Sequence, residues 1–226
     1  MSEDAREALA LLIEQWHAFR DLRTLADIVV ERGGKRQRLT GVLLAKAPES
    51  VRFEVLSPFG GPLLVSTIHA GQIVVYNAVN NEATVGPATA ETAAQILSLP
   101  IDPDDLVAVL AGRTVPPKDL RVAEIVLPEA DGGASLDLIG RLHRQRVWMD
   151  FKTGVVRQLD FVGGRYEARI IFQRDGTGQL AGFDLEAAGG YVKATVRYQR
   201  PVVDGGVEDA QFAFTVPKTA KIQPIR

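Results

Sequence analysis

The chain has 226 residues, 46% of them hydrophobic, with a formal net charge of -2 and no cysteine. That length and apolar content can bury a substantial core and still present an apolar cavity without metal or disulfide staples, and the lack of cysteine excludes disulfides and thiol chemistry. The near balance of 26 basic and 28 acidic residues leaves no global electrostatic footprint for DNA, RNA or an anionic membrane, so no nucleic-acid partner is expected.

The start, Met1-Ser2-Glu3-Asp4, has neither a basic n-region nor an apolar h-region and, read literally, is a cytoplasmic start. No apolar run reaches the roughly 20 residues that cross a bilayer. From Ala5 to Arg20, the residues Leu9, Leu12, Ile13, Trp16 and Phe19 recur at three- and four-residue spacing, which predicts a helix with one apolar face. Beyond it the period changes to two. Val51 to Val55, Arg165 to Gln173 and Tyr191 to Gln199 are rich in β-branched and aromatic residues and bounded by turn formers, so they read as strands. In the last of these, Val192, Ala194, Val196 and Tyr198 alternate with Lys193, Thr195, Arg197 and Gln199, which predicts a sheet wet on one side. Turn signals at Gly33-Gly34, Gly60-Gly61, Asn80-Asn81, Gly163-Gly164, Asp175-Gly176 and Gly189-Gly190 join successive strands as in an antiparallel meander of roughly ten or more strands. Helical spacing returns once, between about Pro87 and Pro117. Ala90, Ala93, Ala94 and Leu97 form one stripe; after Pro100, Asp102 is an N-cap, Pro103 a first helical residue, Leu106, Val109 and Leu110 a buried face, and Gly112 a stop. The chain therefore reads as a single domain over 1–226 with a helical insert at about 88–112.

Residues that carry chemistry do not assemble into a catalytic or metal-binding pattern. His17, His69 and His143 lie far apart, and none has a second ligand at metal spacing. Gly176-Thr177-Gly178 reads as a hairpin turn after Asp175 rather than a phosphate loop, and Asp102, Asp104 and Asp105 as helix-capping carboxylates. Lys35, Arg36 and Arg38 read as a basic patch on a strand edge. Neither an enzyme activity, a cofactor nor a metal is expected.

The stretch from Leu43 to Pro58, with Lys46-Ala47-Pro48 and Val51-Arg52-Phe53-Glu54-Val55 inside it, resembles the early strands of the LolA and LolB families, the periplasmic carrier and outer-membrane receptor for lipoproteins. Ala70-Gly71-Gln72-Ile73-Val74-Val75-Tyr76-Asn77 is similar to a second strand of these families, and Asp209 to Pro217 resembles the carrier's closing strand and proline turn. The insert, Ile96 to Pro117, resembles the receptor and its relatives more than the carrier. In place of the carrier's Lys-Arg-Pro triplet stands Lys46-Ala47-Pro48, so a lock built on that arginine is not expected here. The loop Ser57-Pro58-Phe59-Gly60-Gly61-Pro62 resembles the receptor's loop, in which an exposed leucine delivers cargo; Phe59 is the matching residue.

The resemblance implies a mainly β, α+β fold: a curved antiparallel sheet forming an incomplete barrel, with an N-terminal helix and the helical insert as lid. It implies non-catalytic binding and transfer of the acyl chains of lipoproteins or lipids, with Phe53, Val55, Phe172 and Val196 of the sheet and Trp16, Leu97, Leu106 and Leu110 of the helices lining the cavity. Phe59 would meet the membrane or the cargo. The implied setting is the periplasm, tethered to the outer membrane by an N-terminal lipid anchor upstream of this chain, with the membrane surface and envelope transport proteins as partners. The alternatives are carriage of a phospholipid, hopanoid or glycolipid, and a non-transporting envelope assembly module.

Overall fold

The computed structural model describes residues 1–59, 61–96, 101–128, 133–141, 143–163 and 167–224. In chain order the elements are α1 (Glu3–His17), β1 (Asp21–Arg32), β2 (Lys35–Lys46), β3 (Ser50–Leu56), β4 (Pro62–His69), β5 (Gln72–Asn77), β6 (Glu82–Pro87), α2 (Ala90–Ile96) and α3 (Pro103–Leu110). There follow β7 (Val122–Val126), β8 (Ser135–Ile139), β9 (Arg144–Met149), β10 (Val156–Val162), β11 (Ala168–Arg174), β12 (Leu180–Ala187), β13 (Val192–Val203) and β14 (Lys221–Pro224). The strands bond in the order β14-β6-β5-β4-β3-β2-β1-β13-β12-β11-β10-β9-β8-β7. That order is open; neighbours from β2 to β6 and from β7 to β12 pair antiparallel, and β14 joins β6 in parallel. The fold is thus the expected one, mainly β with an unclosed, largely antiparallel sheet and three α-helices among the described residues.

The chain divides into two compact units, one of residues 1–19, 29–37 and 108–196, the other of residues 20–28, 38–107 and 197–226. In the first, β7 to β12 form a meander whose register separates two faces. Ile125, Leu136, Val147, Leu159, Ile170 and Leu185 are cross-strand partners in one apolar row. The neighbouring positions, Glu124, Asp137, Arg146, Asp160, Arg169 and Glu186, form a row of charges on the other face. Arg146 and Arg169 pair with Asp137 at 2.8 Å and Asp160 at 3.0 Å, and Arg144 adds a second cation to Asp137. Alternation of side chains along each strand makes both rows from one sequence pattern.

Helix α1 packs on β7 and β8 of this unit. Ser2 caps it, its Oγ accepting from the Ala5 amide at 3.2 Å, and Glu3 and Asp4 favour the dipole of its first turn. Its buried face is Ala5, Ala8 and Leu12, while Ile13 is exposed. The apolar face expected from Leu9, Leu12, Ile13, Trp16 and Phe19 is therefore turned towards Ala5 and Ala8. Phe19 lies beyond the helix and is buried, stacked on Trp16 with centroids 5.9 Å apart.

In the second unit, β2 to β6 form a meander and β14 adds a parallel strand to β6. Helix α2 packs on β5 and β6. Helix α3 contains residues of both units and follows the expected signals: Pro103 opens it, and after Leu110 the chain reverses at Gly112, whose φ of +68° and close approach to the Leu180 side chain both require glycine. All five residues from Leu106 to Leu110 are buried, so α3 has no solvent face over that stretch, unlike the amphipathic stripe expected.

The expectation of a closing strand at Asp209 to Pro217 is not met. Asp209–Gln211 is a 3-10 turn closed by a capping box between Glu208 and Gln211, and the residues after it form no strand until β14. Phe212, Phe214 and Val216 do alternate, but they pack on one face of the β2–β6 meander instead of joining a ladder. Phe212 lies with Leu44 and Val207, and Phe214, Val216 and Ala220 lie against Val65, Tyr76 and Ala83. Alternation reports one-sided burial; it does not by itself require a strand neighbour.

Candidate functional site

The expected lining residues fall in both units. Phe53, Val55 and Leu106 belong to the second; Trp16, Leu110, Phe172 and Val196 belong to the first; Leu97 lies outside the described residues. Phe53, Leu106, Leu110, Phe172 and Val196 are all buried, and Val55 and Trp16 are half-buried. Within the first unit, Phe172 faces its cross-strand partner Phe183 edge-on at 6.5 Å, on the same face as the apolar row. Within the second, Phe53 shares a sheet face with Val51, Ile68 and Ile73, all buried.

The opposite face of the second meander is held by the C-terminal segment. Lys46 Nζ donates to the Val207 carbonyl at 3.0 Å and pairs with Asp209 at 2.7 Å, which holds the Asp209 carboxyl below the usual carboxylate range. The Arg52 guanidinium donates to the Gln211 and Ala213 carbonyls, both at 3.2 Å, and lies over the Phe214 ring. Asn81 Nδ2 donates to the Thr219 carbonyl at 2.9 Å. This strap is absent from the sequence reading. The signal for it was the pair of phenylalanines at 212 and 214, assigned there to a strand.

Phe59 is 97% exposed. The turn that carries it is fixed by the Ser57 amide donating to the Gly61 carbonyl at 2.8 Å and the Phe59 amide donating to Ser57 Oγ at 3.2 Å. Leu56 and Leu63 flank the turn and are exposed, as is Val79 in the β5–β6 turn at the same end of the meander. Four exposed apolar side chains, Leu56, Phe59, Leu63 and Val79, thus lie at that end of the unit, and hydrogen bonds hold the two turns.

The remaining sequence candidates have local roles. His69 Nδ1 bonds the Ser50 hydroxyl at 3.0 Å, and its ring stacks on Phe212. The Asp175 carboxylate accepts from the Thr177 hydroxyl and amide and from the Gln179 amide, which holds it below its usual range and closes the expected hairpin at Gly176-Thr177-Gly178. Arg36 pairs with Glu31 at 3.4 Å, as befits a solvated strand edge. Among the described residues no group of three or more His, Asp or Glu could hold a metal ion, and no helix is long and apolar enough to cross a membrane.

No family model and no curated protein matches the sequence. Solved structures do. An outer-membrane lipoprotein-sorting protein domain from Vibrio parahaemolyticus superposes with a TM-score of 0.62 at 10% identity, over 92% of this chain and 97% of that one. A LolA superfamily protein from Nitrosomonas europaea gives 0.61 at 13% identity over 93% and 97%, and a DUF1329 family protein from Desulfovibrio piger gives 0.62 at 15% identity over 94% and 98%. With its open antiparallel sheet, N-terminal helix and central helical insert, the chain shares the fold of these three structures.

Proposed function

We propose that this chain binds the acyl chains of lipoproteins or lipids in the bacterial cell envelope and hands them on without catalysis. The observation that carries the reading is Phe59, an aromatic side chain 97% exposed on a hydrogen-bonded turn. It adds nothing to the core, and it has a use only where it meets an apolar surface. The fold supports the reading by analogy, since one neighbour is a lipoprotein-sorting domain.

In this proposal each unit offers its own apolar side chains to an acyl chain, Phe53, Val55 and Leu106 in one and Trp16, Leu110, Phe172 and Val196 in the other. Each buried methylene contributes about 0.8 kcal/mol, so acyl groups prefer such a site to water and pass on to any acceptor that holds them more strongly. Because five of these side chains are already buried, uptake requires the acyl chain to replace side-chain contacts. The partners are the membrane surface and envelope transport proteins. The setting is the periplasm, with an N-terminal lipid tether to the outer membrane.

The same burial favours a second reading, an envelope assembly module whose apolar faces are filled by its own side chains. Titration of the protein with a pyrene-labelled long-chain fatty acid separates the two. Acyl binding predicts saturable uptake competed by unlabelled fatty acid; no saturable uptake leaves the module. Lipids extracted from protein purified from bacterial envelopes would identify the cargo class.

A further inference from the structure

We propose that a pocket in the first unit, walled by Arg174, Arg113 and Thr114, binds a small oxyanion, a carboxylate or a phosphate. The pocket has a volume of 80 Å³ and also touches Gly112, Gly154 and Val156. On the measure by which one water needs about 10 to 15 Å³, the pocket holds a group of several heavy atoms, the size of a headgroup.

Arg174 carries the argument. Among the described residues its guanidinium meets only backbone carbonyls: Nη1 donates to Gly178 at 3.2 Å, and Nη2 to Val156 at 3.4 Å and Gly112 at 3.5 Å. The last two are at the outer limit of a hydrogen bond. Its Nε is buried and has no partner among the described residues. None of the residues lining the pocket is acidic. Burial alone moves the Arg174 pKa, downward, and an arginine still keeps its charge at every physiological pH. A cation partly removed from water without a counter-ion is costly, and an oxyanion accepting from Nε and one Nη offsets that cost through short, charge-assisted bonds. A role confined to tying the C-terminal end of α3 would use the Nη groups and leave Nε idle.

The other walls suit the same ligand. Arg113 donates to Gln15 Oε1 at 3.3 Å and lies over the Phe19 ring at 5.6 Å, so a second guanidinium is positioned at the pocket. The buried Thr114 hydroxyl, now donating to Gln145 Oε1 at 3.3 Å, is a further donor or acceptor at the wall. The site lies wholly within one unit and is independent of the acyl-chain reading.

The test is an amide NMR titration of the isotope-labelled full chain with inorganic phosphate against sodium chloride of matched ionic strength. Saturable shifts confined to Gly112, Thr114, Gly154, Val156 and Gly178 are expected with phosphate alone. Arg174→Lys, which keeps the charge but loses Nε and the planar fork, should weaken binding about tenfold. Arg113→Gln, which leaves the Arg174 carbonyl contacts in place, should weaken it by about the same factor. Shifts that do not saturate, that chloride reproduces, or that survive both substitutions would overturn the site. Two further ligands resolve the source. Lysophosphatidic acid below its micellar concentration binding more than tenfold tighter than glycerol 3-phosphate, at the same amides, marks a lipid headgroup; equal affinity marks a free phosphate.

Discussion

Replacing Phe59 with alanine or glutamate separates delivery from folding. The ring is 97% exposed, so its removal deletes no core contact, and the change in stability should stay within about 0.5 kcal/mol. At an apolar surface the same ring gains about 1.5 to 3 kcal/mol on full burial. At about 1.4 kcal/mol per decade, Phe59→Ala should lower partition onto vesicles roughly ten- to hundredfold. Phe59→Glu should lower it further, because a carboxylate must be desolvated on entry. The assay is sedimentation with phosphatidylcholine liposomes, run beside thermal melts and transfer of a labelled acyl probe. A melting temperature lowered by several degrees would make Phe59 a core residue. Unchanged partition and transfer would make its loop a plain turn.

Phe212→Ala, which empties a fully buried site beside Leu44 and Val207, should cost about 3 to 5 kcal/mol in chemical denaturation. Arg52→Ala should loosen the C-terminal segment, seen as faster limited proteolysis after residue 206 while the meander stays protected. Asp137→Asn, which leaves Arg144 and Arg146 facing a neutral amide, should cost roughly 2 kcal/mol, short of the range for wholly buried pairs because both arginines are about a third exposed. The Asp209 carboxyl is held below its ordinary value of 3.8 by Lys46, so its contribution is present above that value and is lost as pH falls through the lower folded one. Melts between about pH 5 and about pH 2 should flatten in Asp209→Asn relative to the parent chain.

The strands were legible because alternation maps directly onto one-sided burial: Val192, Ala194, Val196 and Tyr198 are buried and Lys193 and Gln199 exposed, as their spacing implies. Turns at Gly33-Gly34, Asn80-Asn81, Asp175-Gly176 and Gly189-Gly190 were legible for the same local reason, whereas the β2–β3 reversal at Ala47-Pro48-Glu49 has neither glycine nor asparagine. Helix α3 was found from Asp102, Pro103 and Gly112, although its neighbours bury it more completely than its own stripe indicates. Less legible was anything set by packing at a distance. Ala5 and Ala8 are too small to weigh in an apolar stripe, yet they define the buried face of α1. Phe212 and Phe214 alternate like a strand but lie across a sheet face, a choice made by Lys46 and Arg52 some 160 residues earlier in the chain. Phe59 was legible because two prolines and two glycines leave its ring nowhere local to pack.

If an acyl chain lies against the apolar faces, photo-crosslinking with a long-chain fatty acid bearing a terminal diazirine reads it out most directly. Mapped by mass spectrometry, the adducts should fall on peptides carrying Phe53 and Val55, Leu106 and Leu110, or Phe172 and Val196, and unlabelled fatty acid should suppress them. Adducts confined to exposed positions such as Phe59 and Val79, or none that a competitor suppresses, would contradict the account.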